Sequence, residues 1–210
     1  MPKQVDHEAR RQRIADAVCR LAAREGLDGV SLRHVAAEAG VSMGQVQHYF
    51  TSKDDMLLFA FHTLSARVEA RLGATVAALV QPPSTRALLR ALLLAMIATD
   101  AEGQFEAPLW VAFLARAVVR PDLAAPLRAG DLVAYAADRL RSAQDAGEIA
   151  HSLDPELEAT SLFALADGLM IRTLLEPEQA GAARAAVDYH LDRIFGDEDS
   201  ALASQAPDDA

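Results

Sequence analysis

Apolar positions recur along most of the chain at three- and four-residue intervals, the period of a helix with one buried face. Ile14, Ala17 and Leu21 mark one such face, and Val35, Ala36 and Ala39 mark another. Ser31 stands where its hydroxyl can cap the second of these helices. Gly40 stands where a helix C-terminus favours a left-handed residue, a conformation glycine reaches without a Cβ clash. Ser42 and Gln45 then form an S-x-x-Q capping box, which starts another helix almost at once. Two helices joined by so short a turn cross steeply, as in a helix-turn-helix unit.

Extending this reading to the whole chain predicts an all-α protein of about nine helices: 7–25, 32–39, 43–49, 53–80, 85–99, 104–119, 122–146, 155–175 and 178–195. Ends are set by Gly26, by the Pro82–Pro83 pair, by Pro121 and by Gly147. Asp154 followed by Pro155 marks the start of the eighth helix, and Asp54 and Asp55 suit the first turn of the fourth. The predicted organisation is a three-helix DNA-binding domain over 1–51, a helical domain over 52–196, and a disordered acidic tail over 197–210.

The segment 31–53, SLRHVAAEAGVSMGQVQHYFTSK, resembles the DNA-binding domain of the TetR family of transcriptional regulators. The match rests on Ile14, Ala17 and Leu21 followed by Gly26, on the SLRHVAAEAGVS block, and on the HYF-x-SK ending from His48 to Lys53. It covers roughly the first quarter of the chain, and its motifs fall in the family's order. Trp110 with FLARA at 113–117, and ADGL at 166–169, resemble the BetI-like branch.

The resemblance implies roles for individual residues. Ser42, Met43, Gln45 and Gln47 would face the major groove, where a glutamine can pair bidentately with adenine and Met43 can touch a thymine methyl. Ser31, Arg33, Tyr49 and Lys53 would hold phosphates, and His48 is either a phosphate contact or a packing residue. The rest of the chain would be a ligand-binding and dimerisation domain. Phe59, Phe61, His62, Met96, Trp110, Phe113, Tyr135, Phe163 and Met170 are candidates for an apolar cavity with Asp167 as a polar anchor, and each can equally be core. The stripes Leu162, Leu165, Leu169 and Arg172 beside Gly168, and Val187, His190, Leu191 and Ile194, suit a four-helix contact between two copies. Such a homodimer would hold a palindromic double-stranded operator with its two recognition helices.

Charge sharpens the picture. The chain carries −10 overall, but residues 1–53 hold eight Lys/Arg against six Asp/Glu, while the remainder holds twelve against twenty-four. Lys3, Arg10, Arg11, Arg13, Arg33 and Lys53 flank the proposed reading head. The opening residues have no apolar core of a secretory signal, and the longest apolar run, Ala91 to Ala98, is too short to span a bilayer, so a cytoplasmic location is expected. A lone Cys19 excludes an internal disulfide and a cysteine metal cluster.

One motif points elsewhere. GVSMG at 40–44 satisfies the G-x-S-x-G pattern of a serine hydrolase, with Ser42 as nucleophile. That chemistry needs a strand before the serine, and the preceding VAAEA is helical in period. The reading is therefore a repressor released from DNA by a small apolar or amphiphilic effector, with no enzyme activity, cofactor or metal. Its alternatives are a helical ligand-binding protein without DNA binding and, remotely, a hydrolase using Ser42.

Overall fold

The computed structural model describes residues 2–80, 82–97, 100–119 and 130–196, with side chains omitted at 2–6, 101–102 and 130–131. Among these residues the fold is helical throughout, with no strand. The helices are α1 (Pro2–Gly29), α2 (Leu32–Ala39), α3 (Met43–Tyr49), α4 (Lys53–Ala77), α5 (Thr85–Met96), α6 (Ala101–Val119), α7 (Gly130–Asp145), α8 (Pro155–Leu175) and α9 (Ala180–Phe195).

The extents of α2, α3 and α8 coincide with those read from the sequence, because each has a strong local start signal. Ser31 Oγ accepts from His34 N at 3.2 Å, and Asp154 Oδ1 accepts from Glu156 N and Leu157 N at 3.0 and 3.1 Å. Elsewhere the boundaries differ. Helix α1 begins at Pro2 and is interrupted at Gly26, whose φ of 71° no helix interior accommodates. Helix α6 begins three residues earlier than expected because Asp100 Oδ1 accepts from Gly103 N at 2.7 Å, an N-cap. Helix α9 begins two residues later, since a 3-10 turn over Pro177–Gln179 precedes it. Helix α4 ends at Ala77 and α5 at Met96. The expected start of α7 near 122, and the acidic tail over 197–210, lie outside the described residues.

The chain divides into two compact units, Met1–Arg71 with Phe105–Arg128, and Leu72–Gln104 with Ala129–Ala210. The first unit extends beyond the expected boundary at 51 because its core does. Ile14, Val18, Val35, Val46 and Phe50 are buried together with Met56, Leu57, Phe61 and Leu64 of α4 and with Leu109 and Phe113 of α6. Ion pairs tie these helices at their edges: Arg20 and Arg24 reach Glu38 at 2.7 and 2.8 Å, Arg67 meets Asp16, and Arg116 meets Asp54 at 2.6 Å. Arg71 and Glu106 form a buried pair at 3.0 Å. Cys19 lies within this core, and burial pushes its thiol up to about 11.

The second unit has its own core. Leu89, Leu93 and Ile97 pack with Ala136 and Leu140, with Leu162, Phe163 and Ala166, and with Val187, Leu191 and Ile194. Arg90 pairs with Asp188 at 2.5 Å, Arg86 with Asp192, and Arg141 with Glu156 at 2.5 Å. No helix among the described residues is long and apolar enough to cross a membrane.

Candidate nucleic-acid interface

Helix α3 is held against the first unit by one side and open to solvent on the other. Val46 is fully buried, and Phe50, which caps the helix through its N–H to the Val46 carbonyl, is 1% exposed. Met43, Gly44, Gln47 and His48 lie on the outer side, where i, i+1, i+4 and i+5 share an arc of the helix. The buried anchors fix the rotation of α3, and that rotation decides which side chains are offered.

The capping box at its start is complete. Ser42 Oγ accepts from Gln45 N at 3.2 Å, and Gln45 Oε1 accepts from Ser42 N at 3.0 Å. This gives Ser42 a structural role and removes it as a nucleophile, since no strand precedes it and its hydroxyl is a helix cap. It also separates the two glutamines. Bidentate pairing with adenine uses the amide oxygen as acceptor, and that oxygen of Gln45 already serves the cap. Gln47 carries its whole amide into solvent.

The residues expected at phosphates lie at the starts of α2 and α4 and at the end of α3. Arg33 is exposed and Ser31 half-buried at the start of α2. Lys53 Nζ donates to the Asp28 carbonyl at 3.5 Å, a long contact that leaves the ammonium at the start of α4. Tyr49 is half-buried, with its ring edge-on to His48 at 5.3 Å and to His7 at 5.6 Å. His7, Glu8 and Arg11 of α1 and His48 and Tyr49 of α3 line an open concavity. Sequence pattern places His7 and Arg11 on one face of α1 at i and i+4, but only the packing of α1 shows that this face meets α3.

The expected cavity residues divide between the two units. In the first, Phe61 brings Trp110 and Phe113 together, with ring centroids 5.4 and 5.1 Å away. Phe59 lies under the Arg11 guanidinium, 4.2 Å from the ring centre, and His62 is exposed. In the second, Met96 packs against the core that contains Phe163, and Met170 is buried. Tyr135 is 44% exposed with Arg139 over its ring, and Asp167 sits on the outer side of α8, where partial desolvation raises its carboxyl above the ordinary range.

The stripes expected at a two-fold seam differ in exposure within the protomer. Leu162, Val187, Leu191 and Ile194 are buried in the second unit's own core, and Leu165, Leu169 and His190 are half-buried. Gly168 and Arg172 are exposed. The open face of α8 runs instead through Leu157, Ser161, Ala164, Gly168, Ile171 and Leu175 at alternating four- and three-residue steps. Tyr189, 64% exposed, gives α9 a comparable open position.

Comparison with known proteins bears on this geometry. Residues 14–59 match the description "Bacterial regulatory proteins, tetR family", and residues 82–196 match "BetI-type transcriptional repressor, C-terminal". The chain is similar to the HTH-type transcriptional regulator PksA of Bacillus subtilis, 34% identical over 190 residues covering 88% of each chain. It is 32% identical to the HTH-type transcriptional regulator BetI of Burkholderia mallei over 203 residues, 93% of this chain and 98% of that one. Among solved structures, a transcriptional regulator from Rhodococcus sp. superposes with a TM-score of 0.75 at 30% identity, covering 88% of this chain and 95% of that one. A regulator from Saccharomonospora viridis in complex with choline gives 0.77 at 26% identity, covering 88% and 96%.

Proposed function

The chain belongs to the TetR family of DNA-binding transcriptional regulators, with a BetI-type C-terminal domain, and from that premise we propose a homodimeric cytoplasmic repressor of a palindromic operator. The observation that carries the DNA half is helix α3, anchored by Val46 and Phe50 and offering Met43, Gln47 and His48 outward. The open strip of α8, with small Ala164 and Gly168 between Leu157, Ile171 and Leu175, supports two-fold pairing. An isologous pair supplies two recognition helices for two half-sites roughly one helical turn apart.

Release is assigned to a small apolar or amphiphilic effector. The half-buried Trp110 ring, packed against Phe61 and Phe113, is the aromatic group in this cluster nearest to solvent, and an aromatic face also attracts an organic cation. The choline bound by the Saccharomonospora viridis regulator makes a quaternary ammonium the first ligand to try. A ligand shifts the DNA-bound equilibrium only by its differential affinity for the two states, with couplings typically about 1–3 kcal/mol.

The experiment is selection of genomic fragments by the purified full chain, followed by titration of choline and longer alkylammonium ions. Enrichment of a palindrome at elevated salt, with loss of the complex on adding ligand, supports the reading. A protein that binds these cations yet retains no DNA at any salt concentration would be a ligand-binding helical protein instead.

A further inference from the structure

The concavity between α1 and α3 has an unusual charge balance. Its lining is His7, Glu8 and Arg11 from α1 and His48 and Tyr49 from α3, with the two imidazoles 6.3 Å apart. These are the titratable and charged groups that line the concavity, and Arg10 stands one turn from His7 on α1. Glu8 offsets Arg11, so with neutral histidines the cup carries no net charge, and with both protonated it carries two positive charges. Arg11 is braced over the Phe50 and Phe59 rings at 5.6 and 4.2 Å, and its Nε has no hydrogen-bond partner. The cup therefore holds a fixed guanidinium beside two groups whose charge is set by pH.

We infer that this cup takes one backbone phosphate of duplex DNA, and that His7 and His48 take up protons as it does, so that DNA binding tightens as pH falls. The inference rests on the DNA-binding reading and adds His7 and Arg11 to it. Two imidazolium rings at this spacing can each donate to an oxygen of one phosphate, and Arg11 and the Tyr49 hydroxyl supply further donors. In the free protein, protonating both rings sets two positive charges against each other. A phosphate between them removes that penalty, which raises both proton affinities in the complex above those of the free chain. The extra affinity is therefore present where the rings carry their protons and is lost as pH rises and the complex gives them up.

The test is fluorescence anisotropy of the full chain with a labelled duplex of arbitrary sequence, at constant ionic strength in phosphate-free buffer, from about pH 6 to about pH 8. Each histidine that gains one pKa unit on binding contributes about a tenfold loss of affinity across that range. His7→Gln, at an exposed position, is expected to remove its share of the decline, and His7→Gln with His48→Gln to flatten the profile. His7→Arg supplies a permanent charge and is expected to keep at high pH much of the affinity that the natural chain shows only at low pH. A merely structural histidine would not give this rescue. A flat natural profile, or an unchanged one in His7→Gln, overturns the inference and leaves DNA binding standing. No duplex binding at any pH or salt concentration sinks the functional reading itself. Nuclear magnetic resonance titration of the two rings separates the source of the anion: a shift at duplex concentrations where inorganic phosphate gives none supports the inference, and rings that do not respond to duplex overturn it.

Discussion

Helices α3 and α8 both turn one side to a core and one to solvent, yet the open sides are built on opposite principles. Helix α3 offers Met43, Gln47 and His48 around Gly44, mostly groups that exchange hydrogen bonds to water for hydrogen bonds to a partner. Helix α8 offers Leu157, Ile171 and Leu175 spaced by Ala164 and Gly168, groups that gain by losing water altogether. Apolar burial is non-directional and yields about 25 cal/mol per Å² for any surface of matching shape. A polar exchange is nearly neutral when matched and costly when a donor or acceptor is left alone. The first kind of face suits permanent assembly, and the second suits discrimination among partners that differ by one functional group.

The comparison breaks most visibly at Gly168. A side chain there meets no atom of its own protomer within 4 Å, so Gly168→Arg leaves the protomer's fold intact. At a two-fold seam it buries an unpaired charge from each copy, at several kcal/mol apiece. Sedimentation should show a folded monomer with weakened operator binding and a melting temperature that no longer rises with protein concentration; a DNA-binding dimer would remove α8 from the interface. Next in size is Phe50→Ala, which empties the core beneath α3 at a cost of about 3–5 kcal/mol. It should abolish DNA binding and leave the dimer, and joint loss of both would mean that the two open faces depend on one another.

Finer substitutions sharpen the polar side. Gln47→Ala should cost roughly 1–3 kcal/mol on the operator and little on random duplex. Lys53→Ala should weaken both alike and lower the salt slope by about one phosphate contact. Equal losses on all sequences from both variants would reverse the assigned orientation of α3. The smallest effect concerns Glu38, whose carboxyl Arg24 and Arg20 hold down at about 2 against an ordinary 4.5. A depressed acid stabilises the folded state above its ordinary pKa, and that contribution disappears as pH falls through the folded value. Glu38→Gln should therefore lower the melting temperature slightly at neutral pH, with the difference fading between about 4.5 and about 2.

What the sequence disclosed follows the range of the interactions involved. Helices α2 and α3 were legible because their starts and stops are local: a hydroxyl three residues from the N–H it caps, and a glycine at the one left-handed position of the turn. Ser42 could be placed at the N-cap of α3, and Gln45 and Gln47 on it, for the same reason, though the engagement of the Gln45 oxygen in the cap needed the structure. The α1 partners of α3 were not legible, since nothing near His7 indicates that it will face Tyr49. The pairs Arg67–Asp16 and Arg71–Glu106 are likewise separated by long stretches of chain. Helix α8 was less legible for a different reason. Apolar residues recur on more than one of its faces, so periodicity alone does not say that Leu162 turns to the core while Ile171 and Leu175 stay open.

Cys19 gives the first unit a built-in reporter. Its thiol is 1% exposed and pushed up to about 11, so in the closed unit it is both shielded and protonated, and alkylating reagents or oxidants meet almost no thiolate. Once α1 lifts away, the same sulfur recovers ordinary reactivity. Because it is the chain's single cysteine, the labelling rate under native conditions measures how often the reading head comes apart, with no probe to engineer and no signal from the second unit. The same shielding lets the regulator meet oxidative stress without an unplanned disulfide, for as long as its head remains folded.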